Sequence, residues 1–395
     1  MNGTTAATAR RPSGAMLATL LGASTMTIMA GATIMPALPG MEQHFAAVPN
    51  ADLLVRLVLT MPGLTIMLTA PLLAWLGSRV GRVRVLTAGL VLYAVGGCSG
   101  LVLDWLPALL AGRALLGVGI AGIMVTTTAL LADHYPAGEH GRVLGLQGAA
   151  MGFGGVVSLL LGGLLAALSW RGAFAVYVLA LPLLALVLRH VPEVTVSRTA
   201  AEDGRGTSPW SPRLLGLYAL MFLGILVFYV VPTQAPFWLA EIGAENPVVT
   251  GALIAAVNLV TTLVGLNFRR LRARWDHRVL GVCVFLSYAA GLVVVGLAGS
   301  LWMVTLGMLV VGVGIGLQNP TLNGWLAAAA TPGVRTRALG LMTSALFLAQ
   351  FSSPLVAQPV VDAIGLGGMF VVAGGLSALV CVLLAGARLL PGRRP

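Results

Sequence analysis

The sequence predicts an all-α membrane protein: twelve transmembrane helices in two six-helix bundles related by pseudo-twofold symmetry. Three observations carry this. Of 395 residues, 58% are hydrophobic and only 9% charged, and the mean hydropathy is +0.96; a soluble fold of that balance would expose apolar surface everywhere. Apolar runs of about 20 residues, the length that crosses a bilayer core, recur along the whole chain. Short sequences in the first half return in the second at one fixed offset, the mark of a duplicated unit.

The runs fall near 16–38, 53–77, 83–102, 105–131, 142–168 and 171–190, then near 214–239, 247–267, 279–299, 301–327, 337–359 and 366–389. Residues 1–191 therefore form one bundle and 213–395 the other. Between them, 192–212 is the one sustained polar stretch, rich in Ser, Thr, Gly and Pro, and reads as a flexible cytoplasmic linker. The polar start carries Arg10 and Arg11, and the apolar run after it is long and has no small-residue cleavage site, which predicts an uncleaved first span.

Charge sets the orientation. The 23 basic residues face 12 acidic ones for a net +11, and every basic residue is arginine. All of them except Arg56, Arg113 and Arg171 fall in termini and loops on one side of the predicted spans. By the excess of arginine in cytoplasmic loops, both termini are expected in the cytoplasm of a bacterial cell whose inner membrane the chain crosses many times. The arginines come in short bursts without interleaved aromatics, which excludes a nucleic-acid surface. Cys98, Cys283 and Cys381 stand singly, so neither a disulfide framework nor a zinc site is expected. No GxxxxGK[ST] loop occurs, which argues against ATP hydrolysis, and no cofactor is expected.

The repeat offset is 195 residues. Gly117-Val118-Gly119-Ile120 returns as Gly312-Val313-Gly314-Ile315, and Arg142-Val143-Leu144-Gly145-Leu146 as Arg337-Ala338-Leu339-Gly340-Leu341; Arg79 maps to Arg274 and Ser158 to Ser353. Parallel repeats of six spans are one plan of secondary transporters, with the substrate site near the midplane between the halves.

Within this frame a few residues carry chemistry. Arg113 lies inside span 4, where a guanidinium is costly and marks a pathway or a polar partner. Together with Arg56 it would form a positive pocket for an anionic group. Span 7 ends in Phe228-Tyr229-Val230-Val231-Pro232-Thr233-Gln234-Ala235-Pro236-Phe237-Trp238. Its two prolines are expected to break the regular helix and free carbonyls for a cavity or an outer gate, with Tyr229, Thr233 and Gln234 as polar contacts. Asn258, Gln318, Asn319, Asn323 and Gln350 are amides set in apolar sequence; Gln318 and Asn319, beside Pro320, are the strongest cavity candidates. All twelve carboxylates and all five histidines sit in loops or near span ends, so a proton carrier at a span centre is missing and Asp133 and Asp52 remain as carriers.

Three segments resemble the major facilitator superfamily over nearly the whole chain. Ala74-Trp75-Leu76-Gly77-Ser78-Arg79-Val80-Gly81-Arg82-Val83-Arg84 is similar to its signature between spans 2 and 3: Arg79, Gly81 and Arg82 match, while Ala74 and Ser78 replace a glycine and an aspartate. The resemblance implies a conformational latch there, weakened by Ser78. Leu109, Arg113, Gly117 and Gly119 resemble the buried-arginine signature of span 4. Gly145, Gly154, Gly162 and Gly163 resemble the span-5 signature of the drug:proton antiporter subfamily, although Ser158-Leu159 stands where the pattern has Gly-Pro; the proline survives in the other half as Pro354. Arg79, Gly81, Arg82, Gly154, Gly162, Gly163 and Pro354 are the conformational residues this implies. Trp170-Arg171 and Pro192-Glu193 are boundary anchors. The expected function is export of small amphipathic molecules by alternating access, coupled to protons, by a monomer in contact with membrane lipids. The alternatives are an organic-anion carrier using Arg56 and Arg113, and a transporter-like sensor or scaffold.

Overall fold

A computed structural model describes residues 13–193 and 208–386. Most of the predicted linker lies outside these residues, as do Arg10, Arg11, Arg198, Arg205, Arg388, Arg393 and Arg394. Among the described residues the regular structure is helical throughout. The spans are α1 (Gly14–His44), α2 (Ala51–Val80), α3 (Arg82–Leu101), α4 (Leu106–His134), α5 (His140–Leu168), α6 (Trp170–His190), α7 (Pro212–Glu241), α8 (Pro247–Arg274), α9 (His277–Gly296) and α10 (Leu301–Ala329).

One further apolar run, Gly333–Gly386, is 54 residues long, or about 80 Å at the helical rise of ~1.5 Å per residue, more than twice a bilayer core. It breaks at Gly365, whose φ of 77° and ψ of 172° suit only glycine. Two spans result, α11 (333–364) and α12 (366–386), and the total is the predicted twelve. The expectation of a broken helix at Pro232 and Pro236 does not hold: α7 runs unbroken from Pro212 to Glu241 with both prolines inside it. A proline withdraws one N–H and crowds one carbonyl, so the hydrogen bonds on either side keep the helix going.

The duplication is visible in packing. An added Cβ on Gly96 of α3 would lie 2.6 Å from the Gly112 carbonyl of α4, and one on Gly291 of α9 would lie 2.6 Å from the Gly307 carbonyl of α10. Both members of the second pair stand 195 residues after the first. Likewise a Cβ on Gly117 would sit 2.7 Å from the Pro62 carbonyl, and one on Gly312 3.0 Å from that of Val257. Tyr93 and Tyr288, again 195 apart, are each buried. Each half thus crosses its third and fourth helices through the same backbone contact, where small residues allow close approach. Replacing Gly291 with alanine is expected to destabilise the protein by about 1–3 kcal/mol through overpacking, read as a lower melting temperature in detergent, and Gly96→Ala by a similar amount. Unchanged melting in both would show that these crossings have slack.

The two ends of the bundle differ. On the arginine-rich face Arg82 donates to the Asp133 carboxylate and to the Ala129 carbonyl (3.0 Å). Gly81 (φ 109°) turns the chain between α2 and α3 and offers no capping side chain. Glu193, just past α6, caps α3 instead, accepting from the amides of Val83 (3.1 Å) and Arg84 (3.3 Å). In the second half the residue equivalent to Gly81 is Asp276, which caps α9 itself through Val279 N at 2.7 Å. Ser78 donates to the Trp75 carbonyl of its own helix (2.6 Å), and Arg79 lies 5.1 Å over the Trp75 ring. On the arginine-poor face Arg171 donates to the carbonyls of Gly100 and Leu103 and to Asp104. His44 holds the same carboxylate at 2.7 Å, and this hydrogen bond, with the Arg171 charge, keeps Asp104 below the usual carboxylate range.

Candidate functional site

Between the halves, near the middle of the spans, lies a cavity of about 360 Å³. α1, α2, α4 and α5 supply one wall with Thr27, Ile28, Met35, Ile66, Met124 and Met151 among its residues. α7, α8, α10 and α11 supply the other with Phe228, Tyr229, Asn258, Gln318, Asn319 and Gln350. Among the described residues no charged side chain lines it.

Tyr229, Gln318, Asn319 and Gln350, all expected in the site, are brought together here. Gln318 is already committed: Tyr288 donates to its Oε1, its Nε2 lies 3.6 Å from the Met221 sulfur, and Gly224 leaves room for the amide. Prolines shape the same wall. Pro232 and Pro354 lack the N–H that would bond the carbonyls of Phe228 and Gln350, four residues back, and both of those residues line the cavity.

Thr233 and Gln234 lie outside the cavity and are fully buried. The Thr233 hydroxyl donates to the Tyr229 carbonyl at 2.6 Å. Gln234 belongs to a seal on the arginine-poor side. Its Oε1 accepts from Arg56 Nε at 2.7 Å, and Arg56 Nη1 reaches Glu42 (3.2 Å) and the Asp52 carbonyl (2.6 Å), while the guanidinium stacks 3.9 Å over Phe237. Beside it Gln358 Nε2 donates to Asp52 (2.5 Å) and Asp362 (2.8 Å). Arg56–Gln234 and Asp52–Gln358 both join one half to the other. The cavity is thereby closed at this end.

Arg113 is also away from the cavity lining, and is 0% exposed. Nε donates to the Val58 carbonyl (2.8 Å), Nη1 to the Tyr177 hydroxyl (2.7 Å) and Nη2 to the Ala30 carbonyl (2.7 Å); Tyr177 donates to that same carbonyl at 2.6 Å. These acceptors were available for a reason. Val58 stands four residues before Pro62, which has no N–H to give it, and Ala30 stands at the end of the first helical segment of α1, where Ile34 N bonds Gly31 instead. Arg113 fills one carbonyl freed by a proline inside the continuous α2 and one left open at the end of the first segment of α1. It neither snorkels to an interface nor lines the cavity.

Of the conformational candidates, Gly154 and Gly162 press α5 against Thr25 and Thr33 of α1. Gly163 presses against α8 across the halves: its Cβ would lie 2.8 Å from the Pro247 carbonyl, and that of Gly251 would lie 2.6 Å from the Leu159 carbonyl. Sequence reasoning missed Gln358, which occupies the position 195 residues after Gly163, and Tyr177, Met124 and Met151. The repeat register could have singled out Gln358. The methionines carry no signal in an apolar run.

The profile of the Major Facilitator Superfamily matches residues 20–323. An uncharacterized MFS-type transporter of Mycobacterium tuberculosis is 34% identical over 232 residues, 56% of this chain. The chain spans only 31% of that relative's length. The tetracycline resistance protein, class E, of Escherichia coli is 26% identical over 348 residues, 82% of each chain. Among solved structures a D-xylose-proton symporter superposes with a TM-score of 0.75 at 17% identity, covering 94% of this chain and 96% of the other.

Proposed function

Because the chain belongs to the major facilitator superfamily, a family of transporters and not of enzymes, we propose that it exports small amphipathic molecules by alternating access. The single observation that carries this is the midplane cavity between two duplicated halves, sealed at one end by hydrogen bonds that cross from half to half. With the arginine-rich face in the cytoplasm, the sealed end is the outer one. Rocking of the halves would use the α5–α8 crossing at Gly163 and Gly251 and the contact of Gly63 in α2 with Phe347 and Gln350 in α11. The antiporter-like span-5 glycines and the likeness to a tetracycline resistance protein support export over import. Neither arginine of the anion-carrier reading lines the cavity, so that reading has no ligand group.

Among the described residues no carboxylate lines the cavity to couple protons. Glu42, Asp52 and Asp362 take its place in this proposal, because opening the outer seal would change their partners and expose them to the outside. The test is flux of amphipathic dyes in proteoliposomes with an imposed pH gradient. Dye movement that follows the gradient and collapses with an ionophore is the expected result. Movement indifferent to the gradient would remove the coupling, and absence of movement across a broad dye panel would remove the transport reading.

A further inference from the structure

The two walls of the cavity are chemically unlike, and neither is charged. Among the described residues the one polar side chain on the N-terminal side is Thr27, whose hydroxyl is spent on the Ser24 carbonyl at 2.7 Å; the remainder is aliphatic and methionine. On the C-terminal side stand Tyr229, Asn258, Asn319 and Gln350. Asn319, Gln350 and the Tyr229 hydroxyl make no side-chain hydrogen bond among the described residues, and Asn258 makes only a long one to its own helix (3.4 Å). Three amides and a phenol thus face one space with donors and acceptors in hand, opposite a soft apolar surface.

We propose that this cavity takes an uncharged amphipathic molecule with one edge of mixed hydrogen-bond donors and acceptors, the edge held by the C-terminal half and the apolar body by Met35, Met124 and Met151. The inference rests on the transport reading and narrows it. An amide presents both a donor and an acceptor, so this wall suits carboxamide, lactam or hydroxyl groups. Methionine adapts to apolar bodies of varied shape. A net charge would enter a low-dielectric space with no counter-ion, at a desolvation cost that neutral amides do not return.

Three probes on one ring decide it: 7-diethylaminocoumarin-3-carboxamide, the corresponding 3-carboxylate, and a trimethylammonium derivative, titrated by fluorescence against the purified full chain. The carboxamide should bind on the order of 100-fold more tightly than either ion. Asn319→Leu and Gln350→Leu should each weaken it about tenfold, the worth of one hydrogen bond left unmade. Asn319→Asp should bring the trimethylammonium probe to about the affinity of the carboxamide by supplying the missing counter-charge, an outcome that a merely misfolded variant would not produce. Equal binding of ion and amide by the unaltered protein would overturn the substrate class. Carboxamide binding without flux in proteoliposomes would sink the export reading and leave the cavity assignment standing; no binding of any probe would overturn the assignment.

Discussion

Arg113→Met should destabilise the N-terminal half by about 3–5 kcal/mol, the cost of stripping a buried polar cluster of its central partner. The Val58 carbonyl and the Tyr177 hydroxyl lose the donor they accept from, and the Ala30 carbonyl is left with the Tyr177 hydroxyl alone, in a place that water does not reach. The second half explains why methionine is the informative replacement. The residue equivalent to Arg113 is Met308, fully buried, and the residue equivalent to Pro62 is Val257. Where the proline is absent the preceding carbonyl keeps its helical donor and no arginine is needed. Adding Pro62→Val to Arg113→Met should therefore return roughly 1–2 kcal/mol, by restoring an N–H four residues after Val58. Thermal melts of the single and double variants in detergent read both effects. A double variant no more stable than Arg113→Met would break the link between the proline and the arginine. Substrate affinity of whatever Arg113→Met protein folds should stay within a few fold of normal, because the guanidinium is not in the cavity lining.

Much of this was legible in the sequence, and the reason differs from element to element. The spans could be read because burial in lipid demands about 20 consecutive apolar residues, a signal that needs no partner elsewhere in the chain. The last two spans, read near 337–359 and 366–389, are divided in the structure at Gly365. Side-chain roles needed more. Tyr229 and Thr233 are four residues apart on nearly one face of α7, yet Tyr229 lines the cavity while Thr233 lies about 6 Å further along the axis, past its closed end. Depth along the span decides between them, and the sequence carries little record of depth. Arg113 was recognisable as a buried cation, but its acceptors come from α1, α2 and α6, and the clue lay in a proline 51 residues away. Gln358 escaped notice because it looks like any amide in an apolar run; only its contacts with Asp52 and Asp362 make it part of the seal.

Arg56 tests the opposite case, a buried arginine with partners in both halves. Its side chain is 4% exposed against 33% for Glu42, so on Arg56→Met the carboxylate can turn to water while Gln234, fully buried, is left with an amide oxygen and an amide nitrogen both unpartnered. That penalty applies only while the arginine-poor end is closed. Opening hydrates Gln234, whereas in the unaltered protein opening would break the Arg56–Gln234 bond and the stacking on Phe237. The substitution should therefore shift the balance toward a state open on the arginine-poor side by about 2–4 kcal/mol, or roughly 30- to 1000-fold in population, and leave folding nearly untouched. The readout is the labelling rate of Thr27→Cys by a membrane-impermeant maleimide added from the arginine-poor side, in a protein whose three native cysteines are replaced. Labelling should be slow with Arg56 present and faster by at least tenfold without it. Gln234→Leu, which removes one bond but keeps the pair with Glu42, should fall between the two. Equal labelling in all three proteins would mean that the seal lies elsewhere and that Arg56 serves the fold, as Arg113 does.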